Sequence, residues 1–162
     1  MTQAGSRINP FSLLMFSPFF LTLVFLVFNQ FAIAQTETRE ERITVVLKDF
    51  AVPPNTTRAK TGRLTLEAMN EGMSVHELVI LKTDLNPTTL PRKEAKPRQG
   101  IVTEYLVNED DARIKTIDEI EEFPAGTSQK KTVVLDPGHY VLFCNIPGHY
   151  DKGMYASLQI VP

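Results

Sequence analysis

Hydrophobic and polar residues alternate in short bursts along most of the chain. In "RITVVLKDFAV" the positions Ile43, Val45 and Leu47 fall on one side, the period of a half-buried strand. "PPNTT" breaks that run. "GRLTLEAMN" starts again after Gly62 with Leu64 and Leu66 on one face, and "SVHELVIL" follows as a third segment rich in β-branched and apolar residues. Towards the end of the chain "KKTVVL", "YVLFC" and "MYASLQIV" predict three more strands. "DPGH" and "NIPGHYDKG" separate them, with Pro-Gly pairs that fix one φ and accept a positive one. Many short strands with turn signals between them predict an antiparallel β-sandwich or barrel.

The stretch 82–123 follows this rhythm less clearly. Pro87, Pro91 and Pro97 exclude a long helix at its start. The segment 108–120 carries Ile114, Ile117 and Ile120 at three-residue spacing, compatible with a short helix or an irregular strand. "PGHY" occurs twice, at 137–140 and 147–150, but the flanking residues do not align as a repeat.

Composition narrows the class. With 162 residues, 43% hydrophobic and 22% charged, the chain fits one globular domain plus a targeting segment rather than a disordered polymer. A net charge of -2 without a long basic run gives no footprint for nucleic acid. One cysteine excludes an internal disulfide framework.

Residues 1–34 differ from the rest. Arg7 is their only charge, "FFLTLVFLVF" forms an apolar block at 19–28, and "AIA" precedes Gln35. This is the layout of a secretory signal peptide, with cleavage expected after Ala34. The alternative is a retained membrane anchor, although Pro18, Asn29 and Gln30 interrupt the apolar run. The expected organisation is a signal peptide, 1–34, and an exported domain, 35–162, in the periplasm or another extracytoplasmic compartment. Only an uncleaved leader would touch the membrane.

The chemistry concentrates in "CNIPGHYDKGM", 144–154. Cys144 ends one strand, "IPG" turns the chain, His149 can swing back, and Met154 begins the last strand. Rigid elements on both sides of a tight loop can hold a thiolate, an imidazole and a thioether at one end of a sandwich. His76, at another loop-to-strand junction, is the candidate for a fourth position. Two imidazoles and a thiolate with a weak axial thioether suit a blue-copper electron-transfer ion. Zinc would accept Cys and two His, but a thioether is a poor fourth ligand for it. Taken singly, each residue has a plainer reading: Cys144 as packing, His149 as a polar turn residue, Met154 as core filler. Their joint spacing across a Pro-Gly loop favours the metal site.

Other residues read as bystanders. His139, five positions before Cys144, points to the opposite strand face and reads as a solvated turn residue. Met69 reads as strand packing, and Met73 as a neighbour of the site rather than a ligand. "KDF" and "EDD" read as solvated surface.

"LDPGHYVLFCNIPGHYDKGMYASLQIV" and "GRLTLEAMNEGMSVHELVI" together resemble the cupredoxins, small type 1 blue-copper proteins, over almost the whole of 35–162. The resemblance implies a Greek-key β-sandwich, here with an irregular or short-helical insertion at 82–123. It implies one copper ion cycling between Cu(I) and Cu(II), with His76, Cys144 and His149 equatorial and Met154 axial. The C-x4-H-x4-M spacing is similar to phytocyanin and rusticyanin members rather than plastocyanin or azurin. Glu77 stands where plastocyanin-like members commonly carry Asn, which leaves open the hydrogen bond made behind the copper there.

The expected function is a monomeric, extracytoplasmic one-electron carrier. Redox proteins would dock near His149, where Ile146, Pro147 and Tyr150 would form an apolar surround. The alternatives are a copper carrier or buffer using the same ligands for delivery, and a metal-free interaction module. An enzyme is not expected: a copper oxidase needs further histidine clusters, and His139 is the only histidine left over.

Overall fold

A computed structural model describes residues 41–96 and 103–162. The leader at 1–34 and Pro97 lie outside the described residues. Ten strands are present among those described: β1 (Glu41–Leu47), β2 (Arg58–Lys60), β3 (Gly62–Asn70), β4 (His76–Lys82), β5 (Arg92–Glu94), β6 (Tyr105–Val107), β7 (Lys115–Phe123), β8 (Ser128–Leu135), β9 (Gly138–Phe143) and β10 (Tyr155–Val161). One sheet has the order β1-β3-β8 and the other β2-β10-β9-β4-β7; β5 and β6 form a separate hairpin. The two larger sheets face each other as an all-β sandwich.

All six strands expected from the hydrophobic pattern are present. Ile43, Val45 and Leu47 point inward from β1, Leu64, Leu66 and Ala68 from β3, and Val133 and Leu135 from β8. They meet Leu78 and Ile80 of β4, Tyr140 and Leu142 of β9, and Leu158 and Ile160 of β10 in one core. Met69 faces away from it and is exposed, so the expectation of strand packing fails there. Adjacent Ala68 takes the inward position, and alternation turns Met69 out.

Pairing is mixed rather than wholly antiparallel. β1 runs parallel to β3, and β10 parallel to β2. The chain leaves β1 through the turn 48–51 and lays β2 in the opposite sheet. It then returns, so β3 enters beside β1 in the same direction.

The 82–123 segment does more than decorate the sandwich. β4 and β9 are buried on both faces. Their outward residues Val79, Leu81, Val141 and Phe143 pack in a second cluster with Leu90, Val107 and Ile114 of that segment and with Tyr150. This explains why "HELVIL" and "YVLFC" are continuous apolar runs, since a strand covered on both sides has no polar face.

The helix weighed for 108–120 does not form. Residues 108–114 form turns, and the rest of the stretch enters β7, the edge partner of β4. Register shifts opposite His76/Leu78 and Ile80/Leu81 place extra β7 residues and reset its alternation, as bulges do. Ile117 and Ile120 can therefore both reach the main core, whereas Ile114 joins the second cluster. Three-residue spacing here reflects a bulged strand.

Candidate metal centre

Three of the four candidate ligands sit where a strand meets a loop, and the fourth, His149, lies in the loop between two of them. His76 opens β4, Cys144 directly follows β9, and Met154 directly precedes β10. His149 precedes a single 3-10 turn, Tyr150–Lys152, which Gly153 ends in the left-handed region at φ 106°. His76, Cys144 and Met154 are buried, and His149 is half-buried. The Met154 carbonyl accepts the Cys144 N–H at 3.1 Å, and the Met154 N–H donates to the His149 carbonyl at 3.2 Å. The last strand thus clamps both ends of the Cys–His loop.

Three donor atoms converge. Cys144 Sγ lies 3.4 Å from His149 Nδ1 and 4.0 Å from His76 Nδ1, and the two Nδ1 atoms are 3.3 Å apart. Metal bonds of about 2.0 Å to nitrogen and about 2.3 Å to sulfur would set trigonal donors about 3.5 Å (N to N) and about 3.7 Å (S to N) apart. The observed triangle is close to that, so the residues fit an ion. His76 Nε2 faces a carboxylate oxygen of Asp49 at 3.2 Å. In the neutral ring that nitrogen carries the proton, which leaves the Nδ1 lone pair aimed at the triangle.

Electrostatics prepares two ligands and restrains the third. Burial pushes the His76 pKa down, with Asp49 opposing. Burial, then the neighbouring His76 and Lys152, push His149 down. Both rings are therefore held neutral, the form that binds metal. Burial pushes the Cys144 thiol up to about 11, while the backbone N–H groups of Glu77 and Ile146 favour its thiolate. Metal uptake would therefore release the thiol proton.

Several residues read as surface turn out to support this end of the molecule. Asp49 of "KDF" contacts His76. Its carboxyl is held below the ordinary value by the Met73 N–H, and by His76, against partial burial. Glu109 of "EDD" accepts from Asn145 Nδ2 at 2.7 Å and from Thr116 Oγ1 at 2.6 Å. Asp111 of the same run pairs with Arg113 and is held down to about 2 by it. Glu77 Oε1 accepts the Asn145 N–H at 2.8 Å, so a carboxylate makes the cross-link left open by the sequence. Burial, with Glu119, Glu122 and Glu109 adding to it, raises Glu77 to about 7 against the Asn145 N–H. No local pattern announces these partners; they are fixed by which strands become neighbours.

The remaining bystanders sort as follows. His139 lies on the strand face opposite Cys144, as expected, but within β9 rather than in a turn. It is half-buried, bonding the Thr83 carbonyl at 2.7 Å and Ser157 Oγ at 3.1 Å. Met73 is 90% exposed, and its backbone N–H donates to Asp49 Oδ2 at 3.0 Å. Tyr150 is buried. Its hydroxyl donates to the Pro87 carbonyl at 2.7 Å and accepts from the Leu90 N–H at 3.0 Å.

Solved structures share this fold. Reduced auracyanin from the photosynthetic bacterium Roseiflexus castenholzii superposes with a TM-score of 0.52 at 19% identity, over 76% of this chain and 98% of that one. Auracyanin B gives 0.51 at 20% identity, over 78% and 92%. A laccase from Pediococcus acidilactici matches at 0.46 and 17% identity, over 78% of this chain but 28% of that one. No protein-family model and no curated protein matches the sequence. The fold is therefore that of the cupredoxins, with a His, Cys, His and Met set gathered at one end.

Proposed function

We propose that this chain is a type 1 copper protein that carries single electrons outside the cytoplasm. The observation that supports it is the buried triangle of Cys144 Sγ, His76 Nδ1 and His149 Nδ1, spaced as a trigonal ion would space them. Met154, buried where the last strand begins, would supply the thioether as a fourth, weaker donor. Copper bound there supplies a reversible one-electron centre, because this mixed ligand set accommodates both oxidation states. The chain's part is to hold the donors in one place whichever state is present. His76 is fixed by the start of β4, Cys144 and Met154 by a backbone hydrogen bond to each other, and His149 by the Met154 N–H. A site held this firmly favours carrying electrons over releasing metal to an acceptor.

His149 is the ligand nearest solvent, and an apolar rim lies around this end. Ile146 and Pro147 are half-buried, while Phe50, Met73 and Val75 are 56%, 90% and 42% exposed. Redox proteins dock on this rim as transient partners of a monomer. Export is supported by the leader-like sequence of residues 1–34. Among the described residues no helix is long and apolar enough to cross a membrane.

The test is the visible spectrum of the copper-loaded, oxidised domain. The wild type should show an intense thiolate-to-copper absorption, and Cys144→Ser should lose it while far-UV circular dichroism stays unchanged. Persistence of the band in the variant would refute the assignment.

A further inference from the structure

The turn that follows β1 is built to deliver a charge to the metal end. Residues 48 and 51 exchange both backbone hydrogen bonds, Lys48 N–H to the Ala51 carbonyl at 2.9 Å and the reverse at 3.0 Å. Between them Phe50 takes φ 74°, a left-handed backbone that an aromatic residue adopts only under constraint. The turn is tied to the loop before His76 by the Glu71 N–H, which donates to the Leu47 carbonyl at 2.8 Å. Asp49, at its tip, is thus aimed rather than free.

Its two oxygens have separate tasks. Oδ2 accepts the Met73 N–H at 3.0 Å, which fixes the plane of the carboxylate. Oδ1 lies 3.2 Å from His76 Nε2, on a side chain almost wholly removed from water. Gly72 makes the approach possible. A Cβ there would stand 2.5 Å from His76 Nε2 and 2.9 Å from Asp49 Oδ1, so a side chain would wedge the pair apart. Asn70 holds the glycine in place, accepting the Gly72 N–H at 3.0 Å and donating to the Ser74 and Phe123 carbonyls.

The geometry points to Asp49 as the positioning residue of the copper centre: it fixes His76 as the Nε2–H tautomer and holds the reduction potential down. This rests on the copper reading above. A carboxylate behind a ligating imidazole makes the ring a stronger donor and fixes its orientation. A negative charge one ring away from the ion also favours the more positive oxidation state, by Coulomb attraction in a poorly solvated site. Both effects stabilise Cu(II) relative to Cu(I). Asp49 touches no metal and acts only through His76.

Two measurements test this. In voltammetry of the copper-loaded protein, Asp49→Asn, which keeps the shape and an accepting oxygen but removes the charge, should raise the midpoint potential and retain the thiolate band. An unchanged or lowered potential overturns the inference. The second needs no variant and no copper. Ring 15N shifts of His76 in the metal-free wild type should report the Nε2–H tautomer, with that proton slow to exchange with water. An Nδ1–H tautomer or a freely exchanging proton overturns it. The two readings fail separately: a wild type without the thiolate band refutes the copper centre, whereas an intense band with an unmoved potential in Asp49→Asn refutes only the role of Asp49.

Discussion

Met154 is the candidate ligand whose chemistry is softest and whose anchoring is firmest. Its thioether would be a weak donor to Cu(II), and its backbone bonds the residues carrying both the sulfur and the second imidazole. Replacing it by Leu conserves volume and leaves those backbone bonds in place. Met154→Leu should therefore keep copper and raise the reduction potential in voltammetry; an unchanged potential would remove Met154 from the axial role. The four candidate ligands were legible in the sequence because three are scarce residue types at strand ends and His149 lies in the Pro-Gly loop between two of those ends. Asp49, Glu77 and Glu109 were not. An Asp or Glu beside a turn is ordinary surface until the fold supplies its neighbour, and those neighbours are 27, 68 and 36 residues away. The same limit explains His139, whose strand face followed from alternation while its partners Thr83 and Ser157 did not.

At the scale of elements, the loop 145–153 is held from outside as well as by its own strands. Val107 N–H donates to Asn145 Oδ1 at 2.7 Å, Gly148 N–H to the Tyr105 carbonyl at 2.9 Å, and Arg92 to Asp151 at 2.8 Å. The Tyr150 hydroxyl adds the bonds to Pro87 and Leu90. Every one of these contacts comes from the 82–123 segment, which therefore buttresses the loop that carries His149. Tyr150→Phe leaves the Leu90 N–H without its acceptor in a buried place and should cost about 1–3 kcal/mol of unfolding free energy. Chemical denaturation monitored by circular dichroism measures it, with the thiolate band retained. β1, β3, β8 and β10 could be read from sequence because period-two patterning survives where one face meets solvent, and β4 and β9, covered on both faces, could be read as short apolar runs bounded by turn signals. β7 could not, since its bulges shift the phase of its inward residues. β2, β5 and β6 have three residues each, too few for any period to show.

For the molecule as a whole, the buried ligands and the exposed rim divide the labour. On the proposed reading, affinity for the ion would rest on buried His76, Cys144 and Met154 and half-buried His149, whereas encounter with another protein would rest on Phe50, Met73, Val75, Ile146 and Pro147. The two should therefore be separable by mutation. Met73 is the most exposed member, and its side chain makes no hydrogen bond. Met73→Lys should leave the absorption spectrum unchanged and slow electron self-exchange, read by NMR line broadening in mixed oxidation states, by about tenfold at low salt. The reason is that two like-charged rims would have to meet. Recovery of the rate with added salt should accompany it. A change in spectrum with no change in rate would contradict the division.

The second core under β4 and β9 has a consequence for where electrons can pass. Val79, Leu81, Val141 and Phe143 would face water in a sandwich bare on that side, and here Leu90, Val107, Ile114 and Tyr150 lie over them. The flank leading to the sulfur is thereby thickened by a further apolar layer. Tunnelling weakens steeply with each added ångström, so such a layer insulates. On the electron-carrier reading proposed above, charge would then leave by the tip where the half-buried imidazole of His149 stands, which would give the molecule a single terminal.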